Sequence, residues 1–227
     1  MKKIGILGGI SPESTLVYYD QLVKRYYARY GDAYYPEIII YSLNFQRFTD
    51  FEDRGDKAGY IAEIMTGITA LEKAGADFIL MAANSPHAVF NEVESLATVP
   101  LLSIVEVTVD QAQRQGLWRL LLMGIKFTMQ ASFYPAACEA RNIQVSPPAE
   151  PEQREINRII FEELTLGIFK PESKARLLEI IHGYQVDGVI LGCTELPLIL
   201  KPEDTPLKLL NTLALHVEAA LDYAMGE

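Results

Sequence analysis

One of the two cysteines in the chain lies in a setting that suits acid–base chemistry. Cys193 follows an apolar run and a glycine, and it precedes Thr194 and Glu195, which can open a helix. A thiol at a helix N-terminus lies near unpaired N–H groups, which lower its pKa from about 8.5 and favour the thiolate. A small buried hydrophobe fits the same position, because free cysteines are usually buried. Both interpretations of Cys193 stay open, whereas Cys138 lies in a helical pattern and is expected to be structural.

A second group of polar residues follows another apolar run, at positions 83 to 87. His87 can approach a ligand site there, or it can be a structural histidine. Glu195 is likewise either a proton relay or a charge that serves only a helix N-terminus. Short hydrogen-bond donors after the strands suit a carboxylate cradle, and capping of the next helix explains them equally well. These donors are Asn84, Ser85, Thr128 and Thr194.

Metal and nucleotide sites find little support in the residue pattern. The three histidines show no ligand spacing, and two cysteines cannot form a metal site by themselves. The glycines between Gly5 and Gly9 do not spell G-x-G-x-x-G, and no P-loop pattern occurs. We therefore predict neither a cofactor nor a metal.

The composition is that of an ordinary globular protein. The chain has 227 residues, of which 49% are hydrophobic and 22% charged, and its net charge is −10. An acidic surface repels phosphate backbones and anionic lipids, so nucleic acid and membranes are not expected partners. No apolar run reaches the roughly 20 residues that cross a bilayer, and the N-terminus lacks the apolar segment of a signal peptide. We expect a cytoplasmic protein.

Short apolar runs alternate with helix-period segments, which predicts an α/β fold with mainly parallel sheets. The predicted strands are 3–7, 37–44, 77–82, 100–104, 117–124 and 187–192. The predicted helices are 11–30, 57–74, 106–115, 129–142, 152–166, 172–184 and 213–225, with a loop or short helix at 46–55 and a loop at 146–151.

An internal repeat predicts two similar halves. Residues 77–84 and 187–194 align without a gap: an Asp, four mostly large apolar residues, two small residues and a short polar one. We predict two pseudo-symmetric α/β domains, the first comprising 1–98 plus 209–227 and the second 99–208. Ligands of open parallel sheets bind beyond the carboxyl ends of the strands. We therefore expect the active site in the cleft between the domains.

Four segments resemble a known family, the aspartate/glutamate racemases that work without pyridoxal phosphate. The resemblance spans nearly the whole chain and implies two pseudo-symmetric α/β domains, often in a homodimer, and no cofactor. It also implies a two-base mechanism, because inverting a stereocentre through a planar carbanion needs an acid/base group on each face. The segments are GGISPEST from Gly8, ANSPH from Ala83, NRIIFEEL from Asn157 and GCTE from Gly192.

The resemblance also implies roles for individual residues. Cys193 matches the second catalytic cysteine of the family, with Thr194 and Glu195 following as in aspartate-type members. His87 matches the histidine after the first cysteine motif. Arg47 is aligned with a contact to a side-chain carboxylate. The positions that bind the α-carboxylate correspond to Asn84, Ser85, Thr128 and Thr194, and Ser11 of the first motif joins this substrate-binding set.

The chain departs from the family at the first catalytic cysteine. The family usually has Cys-Asn-Thr where this chain has Ala83, Asn84 and Ser85, and an alanine cannot move a proton. General acid–base steps are worth roughly 10²–10⁴-fold each, so racemisation should be slow in at least one direction. Water, Ser85 or another group can stand in at the vacant face. The alternatives are a one-cysteine decarboxylase or lyase, as in the related arylmalonate decarboxylases, and a protein that binds an acidic amino acid without turnover. We expect a weak or stereochemically biased aspartate/glutamate racemase.

Overall fold

The computed structural model of the chain describes residues 1–226 and divides into two compact units. One unit contains Met1–Ile104 and the C-terminal segment from His216 onward, and the other is Val105–Leu215. Each unit has one four-stranded sheet in which all strand pairs are parallel. The predicted fold class, two α/β domains with parallel sheets, is therefore confirmed.

The first sheet has the strand order β2-β1-β3-β4. Its strands are β1 (Ile4–Gly8), β2 (Ile38–Ser42), β3 (Phe78–Met81) and β4 (Leu101–Leu102). The helices between them are α1 (Pro12–Tyr30), α2 (Phe45–Arg54), α3 (Lys57–Lys73) and α4 (Phe90–Leu96), and a 3₁₀ helix spans Ser85–Val89. β1 and β3 are buried along their whole length.

The second sheet has the order β6-β5-β7-β8 and repeats the topology of the first. Its strands are β5 (Arg119–Gly124), β6 (Gln144–Ser146), β7 (Gly188–Gly192) and β8 (Lys208–Asn211). The helices that go with it are α5 (Ile104–Arg114), α6 (Lys126–Gln130), α7 (Phe133–Glu139), α8 (Glu150–Glu162), α9 (Pro171–His182) and α10 (Leu196–Ile199), with 3₁₀ helices at Leu164–Leu166 and Pro202–Asp204. The last helix, α11 (Thr212–Met225), begins in the second unit and belongs to the first from His216 onward. β3 and β7 occupy the same place in their sheets, as the internal repeat predicts.

The chain passes from one unit to the other later than the predicted domain boundaries at 98/99 and 208/209. The units meet after Ile104 and again before His216. β4 pairs with β3, so residues 101–102 belong to the first sheet. β8 pairs with β7, so residues 208–211 belong to the second sheet. The physical reason is the same at both places: each short strand completes the sheet of its own unit before the chain leaves it.

The predicted helix 129–142 is wrong in its extent. The chain forms two helices there, α6 and α7, which are separated at Ala131 and Ser132, and the short strand β6 follows. Pro135 is the third residue of α7, within the first turn, where a missing N–H is tolerated. The segment at 46–55 is the helix α2, and the helix predicted from 152 begins earlier, at Glu150.

Helix α11 is held to the first unit by polar contacts along its C-terminal part. Tyr18 on α1 lies 2.8 Å from His216 Nδ1, and His216 Nε2 lies 3.0 Å from the Leu102 carbonyl oxygen. One turn further on, Arg25 on α1 donates to Glu218 at 2.7 Å. The C-terminal residues thus form an integral part of the first unit.

The turn after β1 brings the backbone of Gly9 close to the backbone of Leu43. Gly9 has a φ of 82°, and its N–H donates to the Thr15 hydroxyl at 2.9 Å. Ser11 then caps α1, because its hydroxyl accepts the Ser14 N–H. A Cβ at Gly9 would lie 2.3 Å from the Leu43 carbonyl oxygen, so only glycine fits.

We expect Gly9→Ala to destabilise the protein far more than Gly31→Ala. Gly31 also has a positive φ, 73°, but a Cβ there meets nothing within 4 Å. Gly31→Ala should cost about 1 kcal/mol of left-handed strain, and Gly9→Ala at least about 3 kcal/mol because backbone must also move. Urea unfolding of both variants measures the difference, and equal losses would contradict the close approach.

Candidate active site

Cys193 lies directly after the buried strand β7 and forms a pair with Glu195. The thiol is nine-tenths buried, and Sγ donates to Glu195 Oε2 at 2.9 Å. The Thr194 hydroxyl donates to the same carboxylate oxygen, also at 2.9 Å. The carboxylate therefore accepts two hydrogen bonds from its own loop, one of them from sulfur.

Burial raises the pKa of the Cys193 thiol well above its ordinary value, and the charge of Glu195 raises it further. The backbone N–H groups of Glu195 and Thr194 favour the thiolate, but they do not outweigh these two effects. The lowered pKa that one of the two interpretations of Cys193 predicts is wrong, because burial and the charge of Glu195 outweigh the N–H groups of the loop. Cys193 is thus a protonated thiol that donates a hydrogen bond to a carboxylate. Within residues 1–226, no three His, Cys, Asp or Glu side chains are arranged to hold a metal ion.

Thr128 lies beside the same strand ends. Gly124 at the end of β5 pairs with Gly192 at the end of β7, and the strands are so close there that a Cβ on Gly124 would lie 2.9 Å from the Gly192 carbonyl oxygen. A Cβ on Gly192 would lie 3.3 Å from the Thr128 methyl group. The Thr128 hydroxyl is buried and has no hydrogen-bond partner among the described residues. The second unit therefore brings a thiol, a carboxylate and an unused hydroxyl together.

The corresponding loop of the first unit follows β3 and carries no thiol. Ala83, Asn84 and Ser85 are all buried, and Ser85 is the first residue of the 3₁₀ helix that contains His87. This loop follows the third strand of the first sheet, as the Cys193 loop follows the third strand of the second sheet. The predicted site residues therefore fall into two groups, one at the strand ends of each unit.

His87 is a neutral histidine with a defined tautomer. Its Nε2 accepts the Ile104 N–H at 3.2 Å, so the proton of the neutral ring is on Nδ1. Burial lowers the pKa of His87 to about 3, and nearby His216 lowers it as well. The Asn84 carbonyl only partly offsets this, and Nδ1 makes no hydrogen bond of good geometry. The structure thus keeps His87 as a neutral N–H donor.

A partly buried, hydrogen-bonded acid next to Ser85 was not predicted from the sequence. Tyr60 on α3 donates to Glu52 Oε2 on α2 at 3.3 Å, and the Ser85 side chain hydrogen-bonds with both. Burial raises the pKa of Glu52 to about 7, although its hydrogen bonds act in the opposite direction. The spacing of Phe48 and Glu52 could have indicated this acid. The two residues lie one helical turn apart, and Phe48 is buried against Tyr60, so Glu52 shares the face of α2 that packs on α3.

Arg47 is already paired in this structure. Its Nε donates to Glu63 Oε2 at 2.8 Å, and its guanidinium forms an ion pair with the same carboxylate. The Glu63 side chain is only 6% exposed, whereas that of Arg47 is 62% exposed. Arg47 therefore lies at the surface above a buried carboxylate. Ser11 serves as the cap of α1.

Comparison with known proteins identifies the family. The model of the Asp/Glu/Hydantoin racemase family matches residues 7–220, nearly the whole chain. The chain therefore belongs to that family, a family of isomerases. This confirms the resemblance inferred from the sequence.

Individual relatives agree with this assignment. A solved structure described as a putative Asp/Glu racemase from Yersinia pestis is 33% identical and has a TM-score of 0.92, covering 99% of this chain and 100% of that one. An aspartate racemase homologue from Pyrococcus horikoshii OT3 is 39% identical, with a TM-score of 0.89 and the same coverage. A broad-specificity amino-acid racemase from Bacillus subtilis (strain 168) is 30% identical over 148 residues, 63% of each protein. The chain thus spans less than two thirds of that curated relative.

Within 1–226, no helix is both long and apolar enough to cross a bilayer.

Removing the carboxylate next to the thiol should make Cys193 more reactive. In a Cys138→Ser background, we expect Glu195→Gln to speed alkylation by iodoacetamide at pH 8 by at least about tenfold, the effect of one pKa unit on the thiolate fraction. Glu203→Gln removes an exposed carboxylate and is the matched control, with no change expected. An unchanged rate in Glu195→Gln would contradict the charge effect.

The buried neutral His87 should make the protein acid-sensitive. Its pKa is about 3 when folded and about 6.5 when unfolded, so the unfolded state binds the extra proton as the pH falls below 6.5. The stabilisation is complete above pH 6.5 and is lost on acidification, at up to about 1.4 kcal/mol per pH unit. His87→Gln should lessen the slope of unfolding free energy against pH between 6 and 4 by about that amount. Parallel slopes in urea unfolding would contradict this expectation.

Proposed function

We propose that the protein is a cofactor-independent racemase of aspartate or glutamate in which Cys193 is the principal acid/base. The observation that carries the proposal is the Cys193–Glu195 hydrogen bond of 2.9 Å at the end of a buried strand. A thiol paired with a carboxylate can both give and take a proton. The family assignment supplies the reaction class, and the choice of an acidic substrate rests on the resemblance of the motifs.

Proton transfer at Cys193 proceeds through Glu195. In the direction of abstraction, the thiol proton moves to the carboxylate, and the resulting thiolate takes the proton from Cα, which leaves a carbanion. In the opposite direction the thiol gives its proton to the carbanion, and Glu195 returns a proton to sulfur. Glu195 therefore acts as the proton relay. General acid–base catalysis of this kind contributes roughly 10²–10⁴-fold.

Buried donors without a partner suit the α-carboxylate of the substrate. The Thr128 hydroxyl is a buried donor that has no hydrogen-bond partner among the described residues. Leaving such groups unsatisfied costs about 1–3 kcal/mol each, and a bound carboxylate would remove that cost. From the family resemblance we propose that the α-carboxylate is bound by Asn84, Ser85, Thr128 and Thr194, that Ser11 belongs to the substrate-binding set, and that His87 is a catalytic residue.

The pairing of Arg47 bears on the strength of substrate binding. We propose that Arg47 binds the side-chain carboxylate of the substrate. Glu63 already neutralises this guanidinium, so an acidic side chain must share it with a buried carboxylate. Weak binding of acidic substrates is expected, which agrees with the proposed low activity.

The alanine at position 83 makes the proposed reaction asymmetric. With one thiol, exchange at the Cys193 face should be fast and exchange at the other face slow. The second candidate function is a one-sided protonation, as in a decarboxylase or lyase of the same superfamily. It is favoured by the raised pKa of Cys193, because a protonated thiol is ready to donate.

Assembly and location are part of the same proposal. From the family resemblance we propose a homodimer that acts in the cytoplasm, in amino-acid metabolism, on a small-molecule substrate. The cleft between the domains stays a prediction as the place of reaction.

Deuterium exchange at Cα tests the proposal. We expect wild-type protein in D₂O to incorporate deuterium mainly from one enantiomer of aspartate or glutamate, since only one face has a thiol. Cys193→Ser should reduce this exchange at least about 100-fold, and Ala83→Cys should make exchange two-sided. Cys138→Ser is the matched control and should leave exchange unchanged.

The same measurement separates the alternatives. Exchange from neither enantiomer, together with release of carbon dioxide from a substituted malonate, would favour the decarboxylase. Binding of aspartate or glutamate without exchange or carbon dioxide release would contradict both catalytic functions and leave a binding protein.

A further inference from the structure

The loop that lacks a thiol is backed by a hydrogen-bonded acid. Ser85 lies two residues after Ala83, is buried, and has a side chain that hydrogen-bonds with Glu52 and Tyr60. Tyr60 also donates to Glu52 Oε2 at 3.3 Å. Serine, carboxylate and phenol therefore form a closed network within the first unit, next to the position where the family has its first cysteine.

We propose that Ser85 and Glu52 together replace the missing thiol as the proton carrier on the Ala83 side. This inference rests on the proposed racemase function and concerns the face that Cys193 does not serve. Ser85 is the group that contacts Cα, and Glu52 is a positioning and relay residue that acts through it.

The proton balance of the relay is complete within these residues. In abstraction, the Ser85 oxygen takes the proton from Cα while the Ser85 hydroxyl proton passes to the Glu52 carboxylate, which becomes a carboxylic acid. In return, Glu52 gives its proton to the Ser85 oxygen as the Ser85 proton passes to the carbanion. No oxidant, reductant or metal is required.

The surroundings of Glu52 suit such a relay. Its buried environment moves its pKa from 4.5 to about 7, and a group that titrates near neutral pH is the best general acid/base there. The titratable groups that act on Glu52 are Asp53 on its own helix and Tyr60 on α3. The Tyr60 hydroxyl has its own pKa raised by burial, so it stays a neutral donor.

The structural alternative is that the network only joins α2 to α3. In that case removing the acid should change stability and leave the pH dependence of exchange where it was. The relay instead predicts that the pH dependence belongs to Glu52 and moves with its hydrogen-bond partners. The two interpretations therefore differ in a measurable way.

The experiment is deuterium incorporation from D₂O into each enantiomer of aspartate and glutamate, measured separately between pH 5 and 9. We expect Glu52→Gln to reduce exchange at the slow face at least about 100-fold and to leave the Cys193-dependent enantiomer within about threefold, and we expect Ser85→Ala to reduce slow-face exchange by the same factor. Glu52→Asp should restore part of the rate. Glu94→Gln, which removes an exposed charge elsewhere in the first unit, is the matched control and should retain the slow-face exchange.

The pH profile supplies a second readout. Abstraction at the slow face needs an ionised Glu52, so its rate should rise with pH to a midpoint near 7. Tyr60→Phe removes a hydrogen bond that favours the charged carboxylate, so the midpoint should move upward. A midpoint that does not move in Tyr60→Phe overturns the relay.

A rescue variant distinguishes loss of the relay from loss of folding. Ala83→Cys introduced into Glu52→Gln should restore slow-face exchange, because the new thiol makes the relay unnecessary. Slow-face exchange that persists in Glu52→Gln, or a rescue that fails while the Cys193-dependent face still exchanges, overturns the relay alone. Wild-type protein that exchanges neither enantiomer overturns the racemase proposal together with the relay.

Discussion

Exclusion of water from ionisable groups at the carboxyl ends of buried strands is the constraint on which the candidate site depends. Burial is the largest of the effects that raise the pKa values of Cys193 and Glu52 and lower that of His87. Each group is thereby kept mainly neutral or close to neutral, and its proton stays available for transfer or donation. Strands β3 and β7 are buried from end to end, so the loops that follow them begin in the interior of the protein.

The two units share a topology and differ in the chemistry at their strand ends. In the second unit, sulfur is hydrogen-bonded to a carboxylate two residues away in the same loop. In the first unit, the corresponding loop has a methyl group at Ala83, and its acid comes from a helix more than thirty residues earlier in the chain. The second unit therefore contains a self-sufficient pair, whereas the first depends on packing between α2, α3 and the loop after β3.

The equivalence of the two buried strands could be predicted from the sequence, whereas the pKa values of the groups that follow them could not. The repeat between 77–84 and 187–194 identified two equivalent buried strands, because burial on both faces leaves a distinctive apolar run. It missed β6 and β8, which are short edge strands of three and four residues with little apolar pattern. The direction of the Cys193 pKa shift was wrong, because desolvation depends on residues distant in sequence. Glu52 was missed for the same reason: its partners lie on α3 and after β3, and no local pattern connects them.

The order in which the chain enters its two units has a consequence for biosynthesis. The second unit is a continuous stretch, so all its strands have been synthesised once β8 leaves the ribosome. The first unit must wait for the part of α11 beyond His216, whose side chain lies between Tyr18 and the Leu102 carbonyl. The N-terminal sheet therefore cannot complete its packing against α11 until the last residues of the helix have been synthesised.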